Sequence, residues 1–127
     1  MKTAAREQDF QEVANGYAAR SIEGMREELA DEAQRELICS EGALDVEVRG
    51  DWHQPGSEED SKPTEYFILL GTGGPASRIR GELSEYQQPE TAVFEYQDWF
   101  KPWTAAWVSA EDEKTLLEYA QQFYFGE

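Results

Sequence analysis

The hydrophobic pattern of this chain changes period, and that change constrains its fold more than any other feature. Residues 4–38 are rich in Ala, Glu, Gln, Arg and Leu, and their apolar residues recur at helical spacing. From Leu44 the spacing falls to two. In "ALDVEVRG", Leu44, Val46 and Val48 share one side, and Asp45, Glu47 and Arg49 the other. Successive strand residues face opposite sides of a sheet, so this reads as a half-buried strand. After Ser109 the helical spacing returns. The pattern predicts an α+β fold: an N-terminal helix or kinked helical pair over 1–40, a four-stranded antiparallel meander sheet over 43–99, and a helical segment over 102–125.

Within the first segment, Phe10, Val13, Ala14 and Tyr17 share one helix face, whereas Ala18, Ile22, Met25, Leu29 and Ala33 share another. Asn15-Gly16 lies where the stripe turns, so a break or kink is expected near Gly16. The other strands are "TEYFILL" (64–70), apolar on both faces, "ASRIRGEL" (76–83) and "TAVFEYQDW" (91–99). Short connections between consecutive strands favour antiparallel neighbours. Three of the four tryptophans fall in "QDWFKPWTAAW" (97–107). Pro102 forbids one regular helix from Trp99 to Trp107 and suits the first turn of a short helix. Trp99 would then end the fourth strand, with Trp103 and Trp107 one turn apart, covering the end of the sheet. Ser109 is placed to cap the last helix, with Asp112 closing a capping-box-like pair. Leu116, Leu117, Ala120, Phe123 and Tyr124 form its buried stripe.

Composition removes several function classes. The 127 residues suit one domain. One cysteine, Cys39, and one histidine, His53, leave no internal disulfide and no Cys- or His-based metal centre. No apolar run approaches the ~20 residues of a membrane span, and "MKTAAREQDF" lacks the apolar core of a signal peptide. A soluble, cytoplasmic protein is expected. The 27 acidic and 11 basic residues give a net charge of −16. Such a field repels nucleic acid and anionic membranes and attracts basic surfaces. Halophilic adaptation also produces acidic chains poor in lysine, and only four lysines occur here. Sixteen aromatic residues are more than that adaptation leads one to expect.

Catalytic motifs are weak. "GTGGPASRIRG" has no Gly-Lys-Ser/Thr and no following helix, so it reads as a glycine-rich hairpin turn rather than a phosphate loop. A Cys39–His53 dyad is formally available, but Cys39 follows Leu37 and Ile38 at a helix end, where a small buried thiol is ordinary. His53 beside Asp51 is a loop histidine, and no nucleophile-elbow sequence accompanies it. The chain is expected not to be an enzyme.

The acidic residues are informative by spacing. Glu23, Glu27 and Asp31 repeat every four residues, as do Glu28, Glu32 and Glu36. On a continuous helix these are two like-charge ladders with steps of ~5–6 Å, each costing about 0.2–0.5 kcal/mol. Arg20 and Arg35 offset only the ends. Asp45 and Glu47 add a second patch on one strand face. Such spacings match the run of phosphates along a nucleic-acid strand, although a generically solvated acidic face would carry the same residues.

Taken whole, this small acidic chain without catalytic residues resembles the counter-defence proteins of phages and plasmids: anti-restriction and anti-CRISPR proteins, several of them DNA mimics. "VEVRGDWHQPG", "EYQDWFKPWTAAW" and "QQFYFGE" look similar to proteins carried on bacterial mobile elements. The resemblance implies a bacterial cytoplasm, no cofactor, and a protein partner that normally grips DNA or RNA. The expected function is a stoichiometric inhibitor whose carboxylates replace phosphates against a basic nucleic-acid-binding surface. The expected contact residues are Glu23, Glu27, Glu28, Asp31, Glu32, Asp45, Glu47 and Phe100, with no direct contact to nucleic acid or membrane. The alternative is an interaction module of antitoxin or immunity type that binds through Trp99, Phe100, Trp103 and Trp107, since tryptophan is enriched at binding hot spots.

Overall fold

The computed structural model describes residues 2–50, 52, 54–56, 62–72, 75–98 and 101–125, with side chains from Phe10 onward. The elements run α1 (Lys2–Ala30), α2 (Glu32–Glu41), β1 (Asp45–Gly50), β2 (Pro63–Gly71), β3 (Ala76–Glu82), β4 (Val93–Gln97), β5 (Thr104–Ala105) and α3 (Ala110–Ala120). The strands form one antiparallel sheet in chain order. The α+β class and the meander hold, but the sheet has five strands rather than four.

The fifth strand explains why the proline segment is not a helix. Thr104 and Ala105 pair with Tyr96 and Glu95, and the Ala106 amide donates to the Phe94 carbonyl at 2.9 Å. The free edge of β4 takes these backbone groups, a long-range gain that outweighs the local suitability of Pro102 for a helical first turn. The helical region expected over 102–125 therefore shrinks to Ala110–Ala120. Trp103 and Trp107 are not stacked on one helix.

The N-terminal break also falls elsewhere than expected. α1 runs through Gly16 and stops at Ala30. Asp31 then caps α2, its carboxylate accepting from the Ala33 and Gln34 amides at 3.0 and 3.2 Å. An interior glycine costs a helix only about 1 kcal/mol, and α1 recovers this through a continuous buried row: Ala14, Ala18, Ile22 and Met25. Val13 and Ala33, expected in the stripes, are exposed. The break at Asp31 also interrupts both acidic ladders.

All three helices pack on one side of the sheet. Ile22, Met25, Ile38, Leu116, Tyr119 and Ala120 meet Tyr66, Ile68, Ile79 and Phe94 in a common core. Tyr17 reaches Phe94 and Tyr96, and Phe10 reaches Tyr96, so α1 lies across β4. Each large apolar side chain buried here is worth about 1.5–3 kcal/mol. In α3, Tyr119 takes the buried place expected of Tyr124, which is exposed. Cys39, expected to be a small buried thiol, is exposed as well.

One glycine is required by a close crossing. A Cβ on Gly81 would collide with the Thr91 carbonyl and lie 2.9 Å from the Tyr66 ring. The same carbonyl accepts the Tyr66 hydroxyl at 2.6 Å. The bare backbone of β3 lets the segment before β4 pass over it and hold the buried phenol.

Candidate interaction surfaces

The helical layer is the acidic side of the molecule. Between residues 10 and 41 and along α3, twelve carboxylates stand against four basic side chains. Two of those bases are tied within the layer. Arg26 bridges Glu23 at 2.9 Å and Asp112 at 2.7 Å, joining α1 to α3, and Arg35 reaches Glu118 at 3.5 Å. Asp112 thus serves Arg26; Ser109 caps α3 by accepting the Asp112 amide at 3.1 Å. Glu27, Glu32 and Glu36 are exposed and make no ion pair among the described residues.

The eight residues expected to form the contact face therefore separate. Glu23 is paired but exposed. Glu27 and Glu32 are the most available. Asp31 is spent on the cap of α2. Glu28 is half-buried beside Tyr119, whose hydroxyl is pushed up to about 12, by burial first and then by that carboxylate. Asp45 and Glu47 do not join the helical patch. They pair in register with Leu69 and Phe67, on the side of the sheet opposite the core. Phe100 lies outside the described residues, as do Trp99 and His53.

No described helix covers that second side, the outer sheet face. It mixes five carboxylates (Asp45, Glu47, Glu65, Glu82, Glu95) with three arginines (Arg49, Arg78, Arg80). Arg78 donates to Glu95 at 2.6 Å, with side-chain exposures of only 19% and 11%. Its guanidinium also lies 4.1 Å from the Trp103 ring and 5.5 Å from that of Phe67. Arg80 approaches Glu95 from the other side at 3.7 Å. Arg49 grips both Glu65 oxygens, at 2.9 and 3.1 Å, and holds that carboxyl below its usual range. A shallow depression of about 230 Å³ runs between Glu47, Arg49, Glu65, Phe67, Arg78 and Arg80. The Glu47 carboxyl is pushed above its usual range, first by a hydrogen bond with Asp45 and then by the charge of Asp45.

The tryptophans divide as well. Trp103 is half-buried in the Arg78 stack, whereas Trp107 is 73% exposed. The backbone presenting Trp107 is fixed: its amide donates to Asn15 Oδ1 at 2.7 Å. Gln11 Nε2 donates to the same oxygen at 2.9 Å and to the Ala105 carbonyl at 3.0 Å. The local pattern marks Asn15-Gly16 as a break or kink and not as this clamp; nothing local marks a helical asparagine as the acceptor for a segment 92 residues away. The Arg78–Glu95 pair was nearer to legible, because both residues alternate with core positions on neighbouring strands.

Among the described residues there is no group of three or more His, Cys, Asp or Glu placed to hold a metal ion. No described helix is long and apolar enough to cross a membrane. Comparison with known protein families, with curated proteins and with solved structures yields no match to this chain.

Proposed function

We propose that this protein is a non-enzymatic inhibitor of the counter-defence kind, acting as an acidic mimic of nucleic acid. Its helical layer docks on a basic surface that otherwise grips DNA or RNA. One observation carries the reading: the carboxylates of that layer outnumber its bases three to one, and the central Arg26 and Arg35 are committed internally. Glu27 and Glu32 lead the contact, with Glu23 and Glu36 beside them. Charge steering is screened beyond about 8 Å at physiological ionic strength, so binding weakens steeply as salt is raised.

The test is a pull-down from bacterial lysate at low and high salt, followed by elution with duplex DNA. Proteins released both by salt and by DNA, and no longer captured by the Glu27→Lys/Glu32→Lys variant, support mimicry. Capture that survives high salt and the charge reversals would sink it.

The exposure of Trp107 favours a second reading, an interaction module anchored by an aromatic ring. Trp107→Ala then abolishes capture with the fold intact, while the two charge reversals leave it unchanged.

A further inference from the structure

β1 is an edge of the sheet, and among the described residues nothing pairs with its free side. Its core-side row is uncovered there: Leu44, just before the strand, is 64% exposed and Val48 41%, with Val46 half-buried between them. Edge strands are commonly blunted by lysine, proline or a bulge. β1 contains neither residue, and its one irregularity falls at the far end, between Arg49 and Gly50. The regular stretch Asp45–Arg49 is therefore available for pairing. Its outer row, Asp45, Glu47 and Arg49, changes sign along the strand.

We propose that β1 is the interface of a two-fold dimer, pairing antiparallel with β1 of a second copy in a register centred on Glu47. That register places Asp45 against Arg49 of the second copy and Val46 against Val48, each twice. Opposite charges and β-branched residues facing each other across strands are favourable pairs. A one-residue slip would set aspartate against valine. A two-residue slip toward Gly50 would set Val46 against Gly50 at the irregular end, and the opposite slip would set Asp45 against Glu47, like charge on like. In the proposed register the two sheets become one, with both helical layers on the same side. Arg49, held to Glu65 but largely exposed, lies between that carboxylate and Asp45 of the second copy.

Two forces oppose the dimer. Each chain carries a net charge of −16, and Glu47 faces its own copy on the axis. Salt screens these repulsions and the two exposed Asp45–Arg49 pairs alike, but exposed pairs are weak and the −16 on each chain outweighs them, so dimerisation strengthens with salt. Docking on a basic partner weakens with salt, and this inference does not rest on that reading; the two can fail separately.

Sedimentation equilibrium of the full chain, from low salt to about 0.5 M where the Debye length is only a few Å, tests the proposal. Circular dichroism reports whether each variant is folded. The wild type is expected to dimerise more tightly as salt rises. Asp45→Arg weakens the dimer about tenfold or more. Glu47→Gln tightens it, because it removes the like-charge pair on the axis. A chain that stays monomeric at every salt concentration overturns the proposal, as does a dimer indifferent to Asp45→Arg or weakened by Glu47→Gln.

Discussion

The two broad sides of this molecule handle charge in opposite ways. On the helical layer the carboxylates are numerous, exposed and mostly without cationic partners. On the outer sheet face each arginine meets a carboxylate, and Arg78 is also packed against two aromatic rings. Charge on the first side contributes little to folding, and in the proposed function it is the part that meets the partner. On the second side the Arg78–Glu95 pair is part of the packing, and removing Arg78 strands Glu95.

The largest expected effect follows from that difference. Arg78→Ala leaves Glu95 nearly buried with only the longer contact to Arg80, at 3.7 Å, beside it. Breaking a buried pair in this way costs about 3 kcal/mol, or a fall of ~10 °C in Tm, readable by thermal denaturation. A loss below about 1 kcal/mol would show that the pair is solvated and that the contrast between the faces is overstated. Next comes Asp31→Ala, which removes the cap of α2 and should cost about 1 kcal/mol by urea denaturation. A larger loss would mean that the acidic layer holds structural charge beyond its caps.

Glu27→Lys and Glu32→Lys should each change stability by no more than about 0.5 kcal/mol, since they touch only an exposed helical surface. On the mimicry reading they abolish partner capture all the same. The smallest effect concerns pH. Glu47 has its folded-state pKa raised, so its favourable contribution is present below its ordinary value and lost as pH rises through the folded value. Glu47→Gln should therefore raise Tm slightly at neutral pH, with the gain disappearing near pH 4 (about its ordinary pKa). Glu65 runs the other way: its folded-state pKa is lowered, so the contribution of its pair with Arg49 is present above its ordinary pKa and lost as pH falls through the folded value.

The periods in the sequence made the first four strands and both helical regions legible, because alternation and helical spacing follow from burial on one side. They could not locate events decided between distant segments. Gly16 marks a break locally, because the apolar stripe turns there and Asn-Gly can end a helix, yet tertiary packing of Ala14, Ala18, Ile22 and Met25 carries the helix past it. Asp31 is spaced as one rung of a charge ladder, but its short side chain caps α2 instead. β5 was invisible because its two residues become a strand only against the open edge of β4. The candidate face was legible in part for the same reason. Glu27 and Glu32 are surface charges on helices, whereas the separation of Asp45 and Glu47 from them depends on which side of the sheet the helices cover.

The Asn15 clamp has a consequence for how the chain folds. Apart from the adjoining α2, the main packing partners of α1 are β4, β5 and α3, all from Val93 onward. A helix forms within about a microsecond, but the apolar stripe of α1 meets its main partners only when that distant segment arrives, while the β1–β3 meander closes over much smaller separations, residues 51–62 and 72–75. Long closures of this kind slow folding. Docking of the Trp107 segment onto Asn15 is therefore expected late in folding, and hydrogen exchange at the Trp107 amide, which donates to Asn15, would time it.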